Sequence, residues 1–260
     1  MTKFRILGAL EIHHQGRICP PLPPKVRCVL TLLLMHAGQV VTSETLMTEL
    51  WGERLPVSAT TTLQTYIYQL RKMFDAEGVS TDDGGTPVVT GSSGYLLRFP
   101  PECLDATTFE AEVAAAVTCL ATGHPVETVH RIRQVLASCR GAPLTDVPRG
   151  PLLEAYAVHL SELRIRATEL RLDAEMQLGH HRELIGELQS LVAEYPLNEW
   201  FHGHLMTALD HSGRRADALR AYQRLHSLLD TELGLVPSDE IEQLHLQVLT
   251  GVPTQFRRSA

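Results

Sequence analysis

The residues best placed to do chemistry lie on one helical pattern, ATTTLQTYIYQLRKMF at positions 59–74. At about 100° per residue, Leu63, Ile67, Leu70 and Phe74 fall in a stripe roughly 60° wide that must face a core. Thr61, Thr65, Tyr68 and Lys72 fall on the opposite side, with Gln64 and Arg71 along one edge and Thr62 and Gln69 along the other. Hydroxyls and amides stand near the start of this face and cations near its end. Such groups pair with base edges or phosphates, and a helix fits the major groove of DNA. An ordinary solvated helix face has the same make-up, so the pattern by itself leaves both readings open.

A second polar cluster, GSSGY at positions 91–95, lies between the short apolar runs PVVT and YLLRF and reads as a tight turn joining two strands. Placed after the helix above, it would lay Ser92, Ser93, Gly94 and Tyr95 along phosphate. Plain turn chemistry with a packed aromatic is the alternative for each. Other chemistry finds no support. Thirteen histidines are present, but His202 and His204 at i, i+2 point to different sides of a helix, and HExxH is missing. GxxxxGK[ST], strand-linked GxGxxG and GxSxG are missing too. No catalytic residue, metal site or cofactor is therefore expected, and the chain does not read as an enzyme.

The elements that must position the polar helix face are also legible. FRILG and LEIHH read as an N-terminal antiparallel sheet. KVRCVLTLLLMHAG reads as a buried helix stopped by Gly38, and ETLMTELWG as a short helix with Thr42 or Ser43 as N-cap. Ser58 is a cap candidate for the third helix. Two helices, a third with a polar outer face and a closing hairpin make the order of a winged helix-turn-helix, in which the third helix reads DNA.

The net charge of −7 at first argues against a polyanion partner. Residues 1–100, however, hold nine Lys and Arg against eight Asp and Glu, while the remainder holds fourteen against twenty-two, so the acidity belongs to the second part. All three lysines, Lys3, Lys25 and Lys72, lie in the first. A nucleic-acid surface there would be a local stripe rather than a basic tail. No apolar run approaches the roughly 20 residues of a bilayer span, and the opening MTKFRILGALEI lacks a signal-peptide core, which predicts a soluble cytoplasmic protein without a membrane partner. Five scattered cysteines without a C-x-x-C pair read as reduced thiols.

Beyond Pro101 the strand signal ends. Helical patterns cover 107–120, 126–139, 152–178, 182–195, 200–211, 216–233 and 238–249. Gly179 and Gly213 stand 34 residues apart, and at that offset Leu172 matches Met206, Ala174 matches Ala208, Leu188 matches Tyr222 and Leu191 matches Leu225. Thirty-four is the tetratricopeptide period.

These residues together resemble the Streptomyces antibiotic regulatory proteins, activators of secondary-metabolite gene clusters, over nearly the full length. FRILGALEI, PPKVR, VVTSETLMTELWG, TTLQTYIYQLRK and GYLL are similar, in order, to that family's OmpR-type DNA-binding domain. The stretch from LIGELQSLVAEYP to EIEQLHLQVL is similar to its bacterial transcriptional activator domain. The resemblance implies base-edge contacts from Thr65, Gln69 and Arg71, with Thr61, Thr62, Gln64, Tyr68 and Lys72 in flanking or phosphate-facing places. Where many relatives carry arginine this chain has Gln69, whose amide favours adenine over guanine. Lys25 and Arg27 match positions near backbone phosphate, although a salt bridge is the competing use of Arg27. Glu53 and Arg54 match the loop through which OmpR-type activators touch RNA polymerase, although a plain connector would look the same. No receiver domain precedes the DNA-binding part, so a phosphoacceptor aspartate is not expected.

The expected architecture is mainly α. A winged helix-turn-helix over 1–100, with a small antiparallel sheet and a hairpin wing, leads to an all-α tetratricopeptide-like domain over 105–250 and a tail over 251–260. The expected function is transcription activation on promoter direct repeats about one helical turn apart, by a homodimer that recruits RNA polymerase holoenzyme, in the cytoplasm and on the nucleoid. Two rivals are a helical-repeat adaptor without DNA binding and a ligand-responsive repressor.

Overall fold

The helix expected to be buried is the hub of the N-terminal part. In the computed structural model, which describes residues 2–81, 84–251 and 256, helix α1 (Pro24–Met35) buries Val26 and every residue from Cys28 to Leu34. Ahead of it, strands β1 (Thr2–Arg5), β2 (Glu11–His14) and β3 (Arg17–Ile18) form an antiparallel sheet in that order, β1 and β2 paired from Thr2 opposite His14 to Arg5 opposite Glu11. After it come β4 (Val40–Thr42), α2 (Ser43–Trp51), α3 (Ala59–Ala76), β5 (Val88–Thr90) and β6 (Gly94–Leu97). The Thr42 hydroxyl caps α2 by accepting from the Thr45 amide at 3.1 Å. Ser58 precedes α3 without a side-chain capping bond.

The wing has one strand more than the sequence suggested. β4 joins the hairpin to give the order β4-β6-β5, with Val41 opposite Tyr95 and Thr42 opposite Gly94. The β-branched run Val40-Val41-Thr42 suits a strand, but three residues give too little alternation to stand out.

Helices α4 (Asp105–Ala121) and α5 (Pro125–Leu136) follow, then the long α6 (Pro151–Gln177). The chain divides into two compact units, Met1–Arg171 and Leu172–Ala260. The domain division expected between 100 and 105 falls inside the first unit, for two physical reasons. First, one hydrophobic core runs through it, joining Phe4, Leu33, Leu46 and Phe74 to Phe109, Ile132, Leu144 and Leu153. Second, carboxylates bond across the expected boundary. Asp105 accepts from the amides of Ile6 (2.8 Å) and Leu7 (3.3 Å), and Asp146 from that of Leu10 (2.8 Å), while Glu11 pairs with Arg140 at 2.6 Å. Burial holds the Asp105 carboxyl above the usual aspartate range despite these donors. Glu49, 5% exposed, accepts from the amides of Gly150 (2.7 Å), Leu152 (2.9 Å) and Leu153 (3.0 Å) at the start of α6. An anion suits a helix N-terminus, where the first amides have no intrahelical partner.

The second unit holds the end of α6 with α7 (His181–Glu194), α8 (Glu199–His211), α9 (Arg215–Leu233) and α10 (Asp239–Thr250). Gly179 and Gly213 take φ of +82° and +75° in the turns after α6 and α8, a backbone conformation that glycine adopts without strain. The 34-residue offset thus superposes one helix-turn-helix on the next, and buried Leu172 and Ala174 correspond to buried Met206 and Ala208. Among the described residues no helix is long and apolar enough to cross a membrane.

Candidate nucleic-acid interface

Helix α3 is oriented by its apolar stripe. Leu63, Ile67, Leu70 and Phe74 are all buried, as the periodicity requires. Its opposite side leaves Thr61, Gln64, Thr65, Tyr68 and Lys72 exposed, the Tyr68 side chain most plainly at 62%. The Thr65 hydroxyl donates to the Thr61 carbonyl at 3.0 Å, so its oxygen can still accept from a base or donor. Thr62 is half-buried and donates to the Ser58 hydroxyl at 3.4 Å. Gln69 is half-buried as well, and its Oε1 is shielded from solvent without a hydrogen-bond partner.

Arg71 departs from the expected arrangement. Its Nε donates to the Val88 carbonyl at 3.0 Å and its Nη2 to the Thr90 hydroxyl at 2.8 Å, which turns the guanidinium away from the outer face and onto β5. β5 is an edge strand, and an edge leaves carbonyls in need of donors. A long side chain at the rim of a helix face can reach sideways to meet that need, which angular arithmetic on Cα positions does not register. Arg71 therefore ties the helix to the wing rather than standing with Thr65 and Gln69. Its partner Thr90 was not singled out from the sequence, and only the pairing of a helix-rim arginine with a nearby β-branched strand could have hinted at it.

The wing tip presents Ser92 and Ser93, both exposed. Gly94 and Tyr95 do not join them. Gly94 is buried against β4 so closely that a Cβ there would lie 1.9 Å from the Val41 carbonyl oxygen, and Tyr95 is 9% exposed in the core. Both residues are packed as turn chemistry with a buried aromatic would have them.

The cations at the start of α1 are likewise engaged elsewhere. The Lys25 ammonium donates to the Leu50 carbonyl in the last turn of α2, where unpaired carbonyls attract a cation. Arg27 forms an ion pair with Asp146, which is the competing use weighed for it above. Both cations are thus paired within the protein. Between α2 and α3, Glu53 and Arg54 are exposed together with the apolar side chains of Leu55 and Val57.

What remains is a convex helix face of hydroxyls, amides, a phenol and an ammonium beside a two-serine hairpin tip. It can donate to and accept from base edges along a groove and touch phosphate at its rim.

Comparison with known proteins gives the family. Residues 16–84 match the family described as "Transcriptional regulatory protein, C terminal", and residues 104–249 the "Bacterial transcriptional activator domain". The chain is 36% identical over 253 residues to the regulatory protein DnrI of Streptomyces peucetius, covering 96% of this chain and 93% of that one. It is 34% identical to the regulatory protein AfsR of Streptomyces griseus, of which it spans 24%. A solved structure of Mycobacterium tuberculosis EmbR in complex with a low affinity phosphopeptide superposes with a TM-score of 0.90 at 30% identity, over 98% of this chain and 66% of that one. With both family segments matched and 93% of the DnrI sequence covered, the chain belongs to the Streptomyces antibiotic regulatory proteins, a family of DNA-binding transcription activators.

Proposed function

We propose that this activator enters the major groove with α3 and serves a secondary-metabolite gene cluster. The observation that carries the reading is the run of exposed polar side chains Thr61, Gln64, Thr65, Tyr68 and Lys72 opposite a fully buried stripe. Thr65 and Gln69 read base edges, Gln69 after its carboxamide turns outward, since its Oε1 has no partner to lose. Tyr68 and Lys72, with Thr61, Thr62 and Gln64 beside them, contact flanking positions, and Ser92 and Ser93 touch phosphate. Arg71 positions the wing.

A single winged helix makes a modest interface, so two copies bind direct repeats about one helical turn apart and gain from joint occupancy. The exposed loop with Glu53, Arg54, Leu55 and Val57 contacts RNA polymerase. Two exposed apolar side chains beside a charge pair favour that use over a plain connector. The chain acts in the cytoplasm on the nucleoid and has no catalytic activity of its own.

Footprinting on promoter fragments at two salt concentrations tests the reading. A repeated, salt-sensitive footprint that Gln69→Ala relaxes at one base position is expected. A single protected half-site with monomer stoichiometry would overturn the dimer. Substitution of Glu53 and Arg54 should abolish activation with DNA binding intact, and unchanged transcription would remove the polymerase contact.

A further inference from the structure

In α8, Gly203 occupies the middle of a helix, a place where glycine is unfavourable relative to alanine. The reason lies against it. A Cβ at Gly203 would come within 2.7 Å of three ring carbons of Phe256, and the same ring meets His204 edge to face at a centroid distance of 5.4 Å. His204 is fixed from every side. It stacks on Trp200 at 3.7 Å and 20°, its Nε2 lies 2.8 Å from the Asp173 carboxylate, and its Nδ1 lies 3.1 Å from the Trp200 carbonyl. The imidazole and the bare glycine backbone form a rigid cradle shaped for one flat ring. Phe256 itself is only half-buried, so it is seated on the surface of the unit and is not one of its core residues.

We infer that the α8 face at Gly203 and His204 is a docking site for an aromatic side chain carried on a peptide, with Phe256 of the same chain as its tethered occupant. The chemistry recognised is a ring that stands perpendicular to the His204 imidazole and fills the space a methyl at Gly203 would take. A partner peptide with such a ring must displace Phe256 first, which makes that side chain a competitor built into the molecule. At a tether concentration of about 1 mM, the tail weakens binding in trans about tenfold if its own Kd is about 100 μM.

The probe is a synthetic peptide of residues 250–260, titrated into the intact chain and into a chain ending at Gly251. Trp200 emission is followed in a Trp51→Phe background, since the chain has two tryptophans. Truncation should shift Trp200 emission to the red. The shortened chain should bind the peptide saturably and about tenfold more tightly than the intact chain, and a Phe256→Ala peptide should not bind. Gly203→Ala, a substitution favourable to the helix, should give the intact chain the emission of the truncated one and abolish peptide binding. No saturable binding to the shortened chain, equal binding of the Phe256→Ala peptide, or normal binding to Gly203→Ala would each overturn the assignment.

Discussion

Replacing Glu49 by glutamine should weaken the first unit far more than a one-atom change suggests. In the native arrangement one carboxylate oxygen accepts from Gly150 and Leu153 and the other from Leu152, all at 2.7–3.0 Å, in a site 5% exposed. Glutamine keeps an acceptor for the first two amides but sets its own N–H groups against the Leu152 amide. A buried donor left unpaired costs about 1–3 kcal/mol, and loss of the charge at the α6 N-terminus up to about 1 kcal/mol more. The expected total is about 3 kcal/mol. With a urea slope of about 2 kcal/mol/M, the unfolding midpoint should fall by about 1.5 M. Trp51, at the end of α2, reports the transition in a Trp200→Phe background. Glu53→Gln, exposed and two residues past that helix, is the control and should not move it. A Glu49→Gln shift below about 0.3 M would refute the idea that this carboxylate joins α2 to α6.

Three other substituted positions and one change of condition follow from the same geometry. Arg71→Ala should weaken binding to cognate and permuted sites alike, and Arg71→Lys should not rescue it, because an ammonium cannot reproduce the two directed bonds to Val88 and Thr90; a change of preference confined to one base pair in a binding-site library would instead make Arg71 a base contact. Lys72→Ala should lower the slope of log K against log salt by about one, measured by titration at several salt concentrations, and an unchanged slope would take Lys72 off the phosphates. Gly94→Ala should cost about 3 kcal/mol, the upper end for overpacking, since its methyl would meet the Val41 carbonyl; thermal melts and amide exchange across β4 and β6 check this. Acid should destabilise the second unit selectively. Burial pushes His181, His202 and His245 below the ordinary histidine value of 6.5, so the unfolded chain takes up protons first and stability falls as pH drops below about 6.5. Melts at pH 5.5 and 7.5 should show this drop, reduced by His202→Gln, and equal stability at both would contradict it.

The parts of the fold legible in the sequence are those whose signal is local. The stripe Leu63, Ile67, Leu70 and Phe74 declares itself by its period, and Gly179 and Gly213 by their spacing and by the positive φ that each turn needs. The exposed residues of α3 follow from that stripe by subtraction. What did not show was pairing over distance. Lys25 and Arg27 look like phosphate contacts until Leu50 and Asp146 are beside them, the latter 119 residues away. Glu49 and Asp105 read as unexceptional carboxylates, because the amides that need them lie about a hundred positions off in the chain. β4 is too short for its period to register. Arg71 was read from the direction of its Cα, while the guanidinium at the end of four bonds obeys the edge strand.

The continuous core from Phe4 to Leu170 bears on how new regulators of this kind could be assembled. The activator family segment begins at residue 104, which invites chimeras spliced there, with the DNA-reading half of one protein joined to the activating half of another. Such a splice would set foreign amides against Asp105 and Glu49 and foreign side chains against Phe109 and Leu153. On the proposed reading, retargeting would do better by transplanting only the exposed side chains of α3 and the two wing-tip serines, a handful of positions on the surface. Lineages that changed operators could have done so by point substitution on one helix surface, without ever exchanging a domain.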